Sequence, residues 1–167
     1  MKPRAELRNA SPKVRKVYEA MIGVEGAINA GGLERSLLDL VRMRASQING
    51  CAYCLDMHSK DLRAQGETEQ RLYSLDAWTE TPFFSDRERA ALTWAEAVTN
   101  LSAGHVSDEV YEKVRDQFTE EELELLTAAI AGINFWNRLN VSFRTVPGDY
   151  RAPANLSKRR DTVAVVD

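Results

Sequence analysis

The chain has 167 residues, 44% of them apolar, and two cysteines. That length suffices for one compact domain with a sizeable core and needs no disulfide framework to hold it. With 25 acidic against 22 basic side chains the formal net charge is −3, which gives no electrostatic reason to expect nucleic acid or an anionic membrane as partner. No run approaches the roughly 18 apolar residues of a membrane span, and Met1-Lys2-Pro3-Arg4-Ala5-Glu6 has no apolar leader core, so a cytoplasmic location is expected.

Helical periodicity dominates and no stretch sustains period-2 alternation, so the expected fold is all-α. A first helix is predicted from Ser11-Pro12 to about Gly31-Gly32, with Val14, Val17, Tyr18 and Met21 on one face. A second runs from about Leu33 to Gln47 and carries Leu37, Leu38, Val41, Ala45 and Ile48 at core spacing. Asn49-Gly50 reads as a turn. The third helix follows it and stops at Gly66, a natural residue just past a helix end. A shorter helix is predicted from about Glu67 to Trp78, broken by Thr81-Pro82.

Two later helices announce their starts through capping boxes, Ser85 with Glu88 and Thr119 with Glu122. The helix from Ser85 shows a stripe of Ala91, Trp94, Val98 and Leu101, and a shorter one is predicted from Ser107 to Phe118. From Thr119 to about Phe143 apolar residues occupy more than one face, as expected of a central helix or of one buried again between subunits. Beyond Val146, Pro147-Gly148, Pro153 and the basic Lys158-Arg159-Arg160 read as an extended tail. The expected organisation is one helical domain over residues 1–146 and a tail over 147–167.

Chemistry concentrates in Cys51-Ala-Tyr-Cys54-Leu-Asp-Met-His58, which holds both cysteines and one of the two histidines. Two cysteines three positions apart lie about one helical turn from each other, close enough to form a disulfide or share a proton. His58 follows Cys54 by four, which on a helix sets the imidazole beside that sulfur. The upstream turn puts Cys51 at a helix N-terminus, where unpaired N–H groups and the helix dipole lower a thiol pKa. In a reducing compartment such a pair is more often catalytic or metal-binding than structural.

Other readings stay open on these residues alone. Cys51, Cys54, His58 and Asp39 make a conceivable four-ligand zinc set, although structural zinc usually draws on two separated ligand pairs. An iron–sulfur cluster needs more cysteines, and haem attachment needs a histidine directly after the second one. Asp39 has Arg35 four residues before it and Arg42 three after, so a surface ion pair also accounts for it. His105 is expected in an exposed loop, and Trp78, Trp94 and Trp136 in the core. Arg138 suits either a carboxylate near the site or helix carbonyls.

The stretch from Leu37 to His58 resembles the core signature of the alkylhydroperoxidase D-like branch of the carboxymuconolactone decarboxylase family: a carboxylate, eleven residues, then Cys-x-x-Cys-x-x-x-His. Weaker similarity extends to Ile133-Asn134-Phe135-Trp136-Asn137-Arg138. The resemblance implies an all-helical bundle built around a two-helix hairpin, assembled into homo-oligomers, commonly trimers or hexamers. It also implies thiol peroxidase or disulfide reductase chemistry. By position, Cys54 matches the cysteine that attacks a hydroperoxide, Cys51 the partner that closes the disulfide, His58 the histidine of a proton relay and Asp39 the carboxylate behind it. Asp39 is one methylene shorter than the glutamate usual there, which works against direct contact with His58. Tyr53 stands where the best-known members have a second histidine.

The dipole argument favours Cys51 as the more acidic thiol and the histidine spacing favours Cys54; an oriented base outweighs a fraction of a pK unit, so Cys54 is taken as the attacking thiol. No nucleotide, flavin or haem motif is present, so no cofactor is expected and electrons must come from a thiol or dithiol reductant. A non-catalytic redox sensor or assembly protein, and a non-redox decarboxylase related to the family's other branch, are the alternatives.

Overall fold

The computed structural model describes residues 2–5, 9–154 and 156. These residues contain seven α-helices and no strand: α1 Pro12–Ala30, α2 Arg35–Ile48, α3 Ala52–Ala64, α4 Glu69–Ser74, α5 Asp86–Thr99, α6 Asp108–Arg115 and α7 Glu120–Phe143. The fold is all-α, as the periodicity requires, and among the described residues no helix is long and apolar enough to cross a membrane. Both capping boxes form, with Ser85 and Thr119 each exchanging hydrogen bonds with the glutamate three residues on. The basic Lys158-Arg159-Arg160 lie outside the described residues.

Helix α2 is the centre of the bundle and packs against α3, α5 and α7. Its seven consecutive residues Leu37 to Met43 are all buried. Leu37, Leu38 and Val41 join Ala91, Ala95, Leu126 and Ile130 in one apolar cluster, while Leu40 and Met43 join Leu62, Leu75, Trp78 and Leu92 in another. A helix buried on every side can carry charge only if that charge is paired. Asp39 and Arg42, three positions apart, satisfy this by pairing with each other at 3.0 Å.

One stretch differs from expectation. The predicted helix from Glu67 to Trp78 splits: α4 ends at Ser74 and the chain tightens into a 3-10 turn over Leu75–Glu80, with Ala77 outside helical geometry. The turn brings Leu75 and Trp78 into the core, where the Trp78 indole donates to Glu96 Oε1 at 2.8 Å. The predicted face of α1 is partly covered, with Tyr18 and Met21 half-buried and the Tyr18 ring 5.9 Å from that of Trp136. Only Ile28 of that helix is buried, and Val14, Val17, Ile22 and Val24 are all exposed in the protomer.

Candidate functional site

The α2–α3 hairpin builds the site. Gly50 adopts φ +63°, a left-handed conformation that glycine takes without cost, and turns the chain so that Cys51 N–H donates to Ser46 O at 3.0 Å. Cys51 then occupies the N-cap of α3, its Sγ accepting the Cys54 N–H at 3.4 Å. Helix α7 holds this turn from the other side. Asn49 Nδ2 donates to the side-chain oxygens of Asn134 and Asn137 at 3.0 and 2.9 Å, and Asn137 Nδ2 reaches Ser46 Oγ at 3.0 Å. Arg138 donates to the carbonyl and side-chain oxygens of Asn134, which settles it on its own helix rather than on a carboxylate.

Cys51 and Cys54 are joined as a disulfide, with Cα atoms 5.4 Å apart, and both are 1% exposed. They pack with Ala45 and Ile133 beneath Tyr53 and Trp136. Cys54 alone of the two borders a cavity of about 600 Å³. Tyr53 and Met57 of α3, Trp136 and Asn140 of α7, Ile22 of α1 and the segment after α7 form its walls. That segment is tied to the outer face of α3: Asp56 accepts the Gly148 N–H at 3.0 Å, Lys60 donates to the carbonyls of Gly148 and Tyr150, and the Tyr150 hydroxyl donates to Asp61 Oδ1 at 2.8 Å. Burial, then the bonded Asp61, raise the Tyr150 pKa, so the phenol keeps its proton.

His58 lies one turn beyond Cys54 and is buried, and neither ring nitrogen has a hydrogen-bond partner among the described residues. Burial lowers its pKa to about 4, with Arg42 and Arg35 adding to the effect and Asp39 opposing it, so the imidazole is neutral at pH 7. Neither sulfur of a disulfide carries a hydrogen, so the oxidised pair offers the ring no donor.

Asp39 is fully buried, and its ion pair is internal rather than on the surface. Its Oδ2 accepts from Arg35 Nε and Gln65 Nε2, each at 2.7 Å, and its Oδ1 from Arg42 at 3.0 Å. Arg42 in turn reaches Glu25 at 2.7 Å and Asn29 at 2.9 Å. Burial pushes the Asp39 pKa up, but Arg35 and Arg42 outweigh it and hold the carboxyl below its usual value. No hydrogen bond joins Asp39 to His58. The described residues contain no group of three or more His, Cys, Asp or Glu side chains able to hold a metal ion.

Sequence reasoning alone misses three residues of this site. Asp61 follows His58 by three on α3, so helical spacing carried a signal for it. It is buried, and burial raises its pKa. Tyr150 and Asn140 had none, because each meets α3 from a distant part of the chain. Asn140 Nδ2 donates to Cys54 Sγ at 3.6 Å. His105 is exposed as expected, Trp78 and Trp94 are buried, and Trp136 is only half-buried because it walls the cavity.

An all-helical protomer whose central hairpin carries a paired Cys-x-x-Cys one turn from a buried histidine is the architecture of alkylhydroperoxidase D-like proteins. Residues 15–97 match the carboxymuconolactone decarboxylase family. The chain is 39% identical over 142 residues to the uncharacterized protein YdfG of Bacillus subtilis, spanning 85% of this chain and 95% of that one. It belongs to the carboxymuconolactone decarboxylase family, in the alkylhydroperoxidase D-like branch. A solved protein of unknown function from Agrobacterium tumefaciens, proposed as the antioxidant defence protein AhpD, is similar with a TM-score of 0.83 and 38% identity, over 89% of this chain and 100% of that one. The debrominase Bmp8 has the same fold, with a TM-score of 0.72 at 24% identity over 82% of this chain and 74% of its own.

Proposed function

We propose that the protein is a thiol oxidoreductase that reduces hydroperoxides through Cys54 and Cys51. The observation that carries this reading is that Cys54, already paired with Cys51, is the one sulfur of the pair bordering the cavity. In the reduced protein His58 takes the proton of the Cys54 thiol. The thiolate attacks one oxygen of the peroxide; an S–O bond forms, the O–O bond breaks, and the alkoxide leaves with the proton returned by His58 as an alcohol. Cys51 then attacks the Cys54 sulfenic acid, its thiol proton leaving with the hydroxyl as water, and the disulfide forms. A dithiol, or two thiols, from a small molecule or another protein gives up two electrons and two protons to restore the thiols.

His58 is neutral and so can accept the thiol proton, while the burial that lowers its pKa to about 4 weakens it as a base, so the thiolate needs further stabilisation at the sulfur. The commitment of both Asp39 oxygens to guanidinium and amide donors makes that carboxylate an electrostatic neighbour of the histidine rather than its bonded partner. Cytoplasmic thiol chemistry and a homo-oligomer, trimer or hexamer, complete the reading. The uncovered valines of α1 support an assembled state.

Mass spectrometry after peroxide treatment of the reduced protein tests the chemistry. The expected product is a Cys51–Cys54 disulfide, with many equivalents of peroxide consumed when a dithiol is supplied. One oxidation per molecule and no turnover would make the protein a redox sensor instead.

A further inference from the structure

A thiolate at Cys54 would face a demanding environment. Burial among apolar groups raises a thiol pKa, and among the described residues the cavity walls hold no lysine or arginine, with Asp149 their one charged side chain. The Arg35 and Arg42 guanidiniums are bound to Asp39 and do not border the cavity. Against that background the Asn140 amide donates to Cys54 Sγ at 3.6 Å.

The amide is held for this contact before any reaction begins. Its Nδ2 also donates to Trp136 O, one helical turn back, at 2.9 Å. A carbonyl accepts and cannot donate, so this bond fixes the nitrogen, not the oxygen, toward the sulfur. The backbone of Asn140 is fixed as well: its carbonyl accepts the Thr145 N–H at 3.0 Å where α7 ends at left-handed Arg144. Asn140 is 8% exposed, so water competes weakly for the donor.

We infer that Asn140 is a catalytic residue of this site, a fixed amide donor that stabilises the Cys54 thiolate. The inference rests on Cys54 being the attacking thiol. A neutral disulfide sulfur is a weak acceptor, whereas a thiolate makes a charge-assisted bond, so the interaction strengthens when the pair is reduced and the thiol ionises. His58 and Asn140 then act in complementary ways, the imidazole removing the proton and the amide holding the charge left on sulfur. The carboxamide brings no charge of its own into the apolar cavity, so it places no electrostatic demand on the substrate.

The test reads ionisation directly. In a Cys51→Ser background, where Cys54 is the single thiol, the rate of iodoacetamide alkylation is followed against pH with Asn140 intact and as Asn140→Leu and Asn140→Asp. The expected result is an upward shift of the alkylation midpoint, with the rate at pH 7 falling about tenfold for Asn140→Leu and further for Asn140→Asp, where a carboxylate faces the sulfur. The alkaline plateau should match that of the parent, which shows that the site is intact. Asn140→Ser, smaller and still a donor, should recover part of the shift and serves if either larger change prevents folding. An unmoved midpoint in the folded variants overturns the inference. Because alkylation needs no peroxide, this outcome is independent of whether peroxide is turned over, and loss of the proposed activity would leave the ionisation result standing.

Discussion

Asp39 on α2 and His58 on α3 are coupled through space, the charge of the carboxylate bearing on whether the ring takes a proton. Both are buried, each shifts the other's ionisation, and no hydrogen bond joins them. Arg35, Arg42 and Gln65 occupy the carboxylate, so a relay residue expected from the motif is also an internal electrostatic anchor.

That anchor makes Asp39 a stability residue first. Asp39→Asn removes one of the two carboxylates on buried Arg42, and because Glu25 remains as counter-ion it should cost about 2–3 kcal/mol, below the penalty for a buried charge left unpaired. Arg35 keeps a third of its side chain in solvent, so Arg35→Gln should cost less than about 1 kcal/mol. Urea unfolding of the two variants checks the contrast. Asp39→Glu adds a methylene at a fully buried position and should also destabilise, by about 1–3 kcal/mol.

His58 gives stability a definite pH dependence. Its pKa is about 4 in the fold against 6.5 for an unperturbed histidine, so the unfolded chain gains a proton first as pH falls. The stability linked to the neutral ring is complete above pH 6.5 and is lost as pH drops toward 4, by on the order of 2 kcal/mol at pH 5. Unfolding free energies at pH 8 and pH 5 should therefore converge by that amount more in His58→Leu than in the parent. Equal pH dependence in the two proteins would refute a depressed histidine.

The two cysteines should separate cleanly on mutation. Cys54→Ser should abolish peroxide consumption, and Cys51→Ser should stop turnover while leaving a sulfenic acid on Cys54 that a dimedone probe traps. A sulfenic acid forming on Cys51 in Cys54→Ser at the parent rate would reverse the roles.

The assembly proposed above would use the exposed valines of helix α1. Val14, Val17 and Val24 are 41%, 51% and 44% exposed. Light scattering should give a trimer or hexamer at micromolar concentration, and Val17→Glu should shift it toward the monomer while the helical circular dichroism persists. A parent protein that runs as a monomer ends this expectation.

Much of the molecule is local and was legible for that reason. Capping boxes at Ser85 and Thr119, the Asn49-Gly50 turn and the stop at Gly66 act over three or four residues, so the sequence states them outright. The Cys51, Cys54 and His58 cluster likewise falls within about two turns at the start of a single helix. Periodicity could not foretell that Leu75 and Trp78 would be drawn inward by a tightened turn, because the partner, Glu96, lies on another helix. Nor could it tell that Val14, Val17 and Val24 of α1 are exposed, since a regular apolar face looks the same against a core or a second subunit.

Sequence by itself determined most of the helices, the capping boxes and the thiol motif, all products of backbone geometry and spacing within one segment. Only the tertiary structure decided how each motif residue is used. It closed both Asp39 oxygens with Arg35, Arg42 and Gln65, left the His58 ring neutral without a bonded partner among the described residues, and turned Cys54 rather than Cys51 toward the cavity. It also brought Asn140 to the Cys54 sulfur from α7. The physical reason is the same in each case: burial and ionisation depend on every group within a few ångströms, and most of those groups come from elsewhere in the chain.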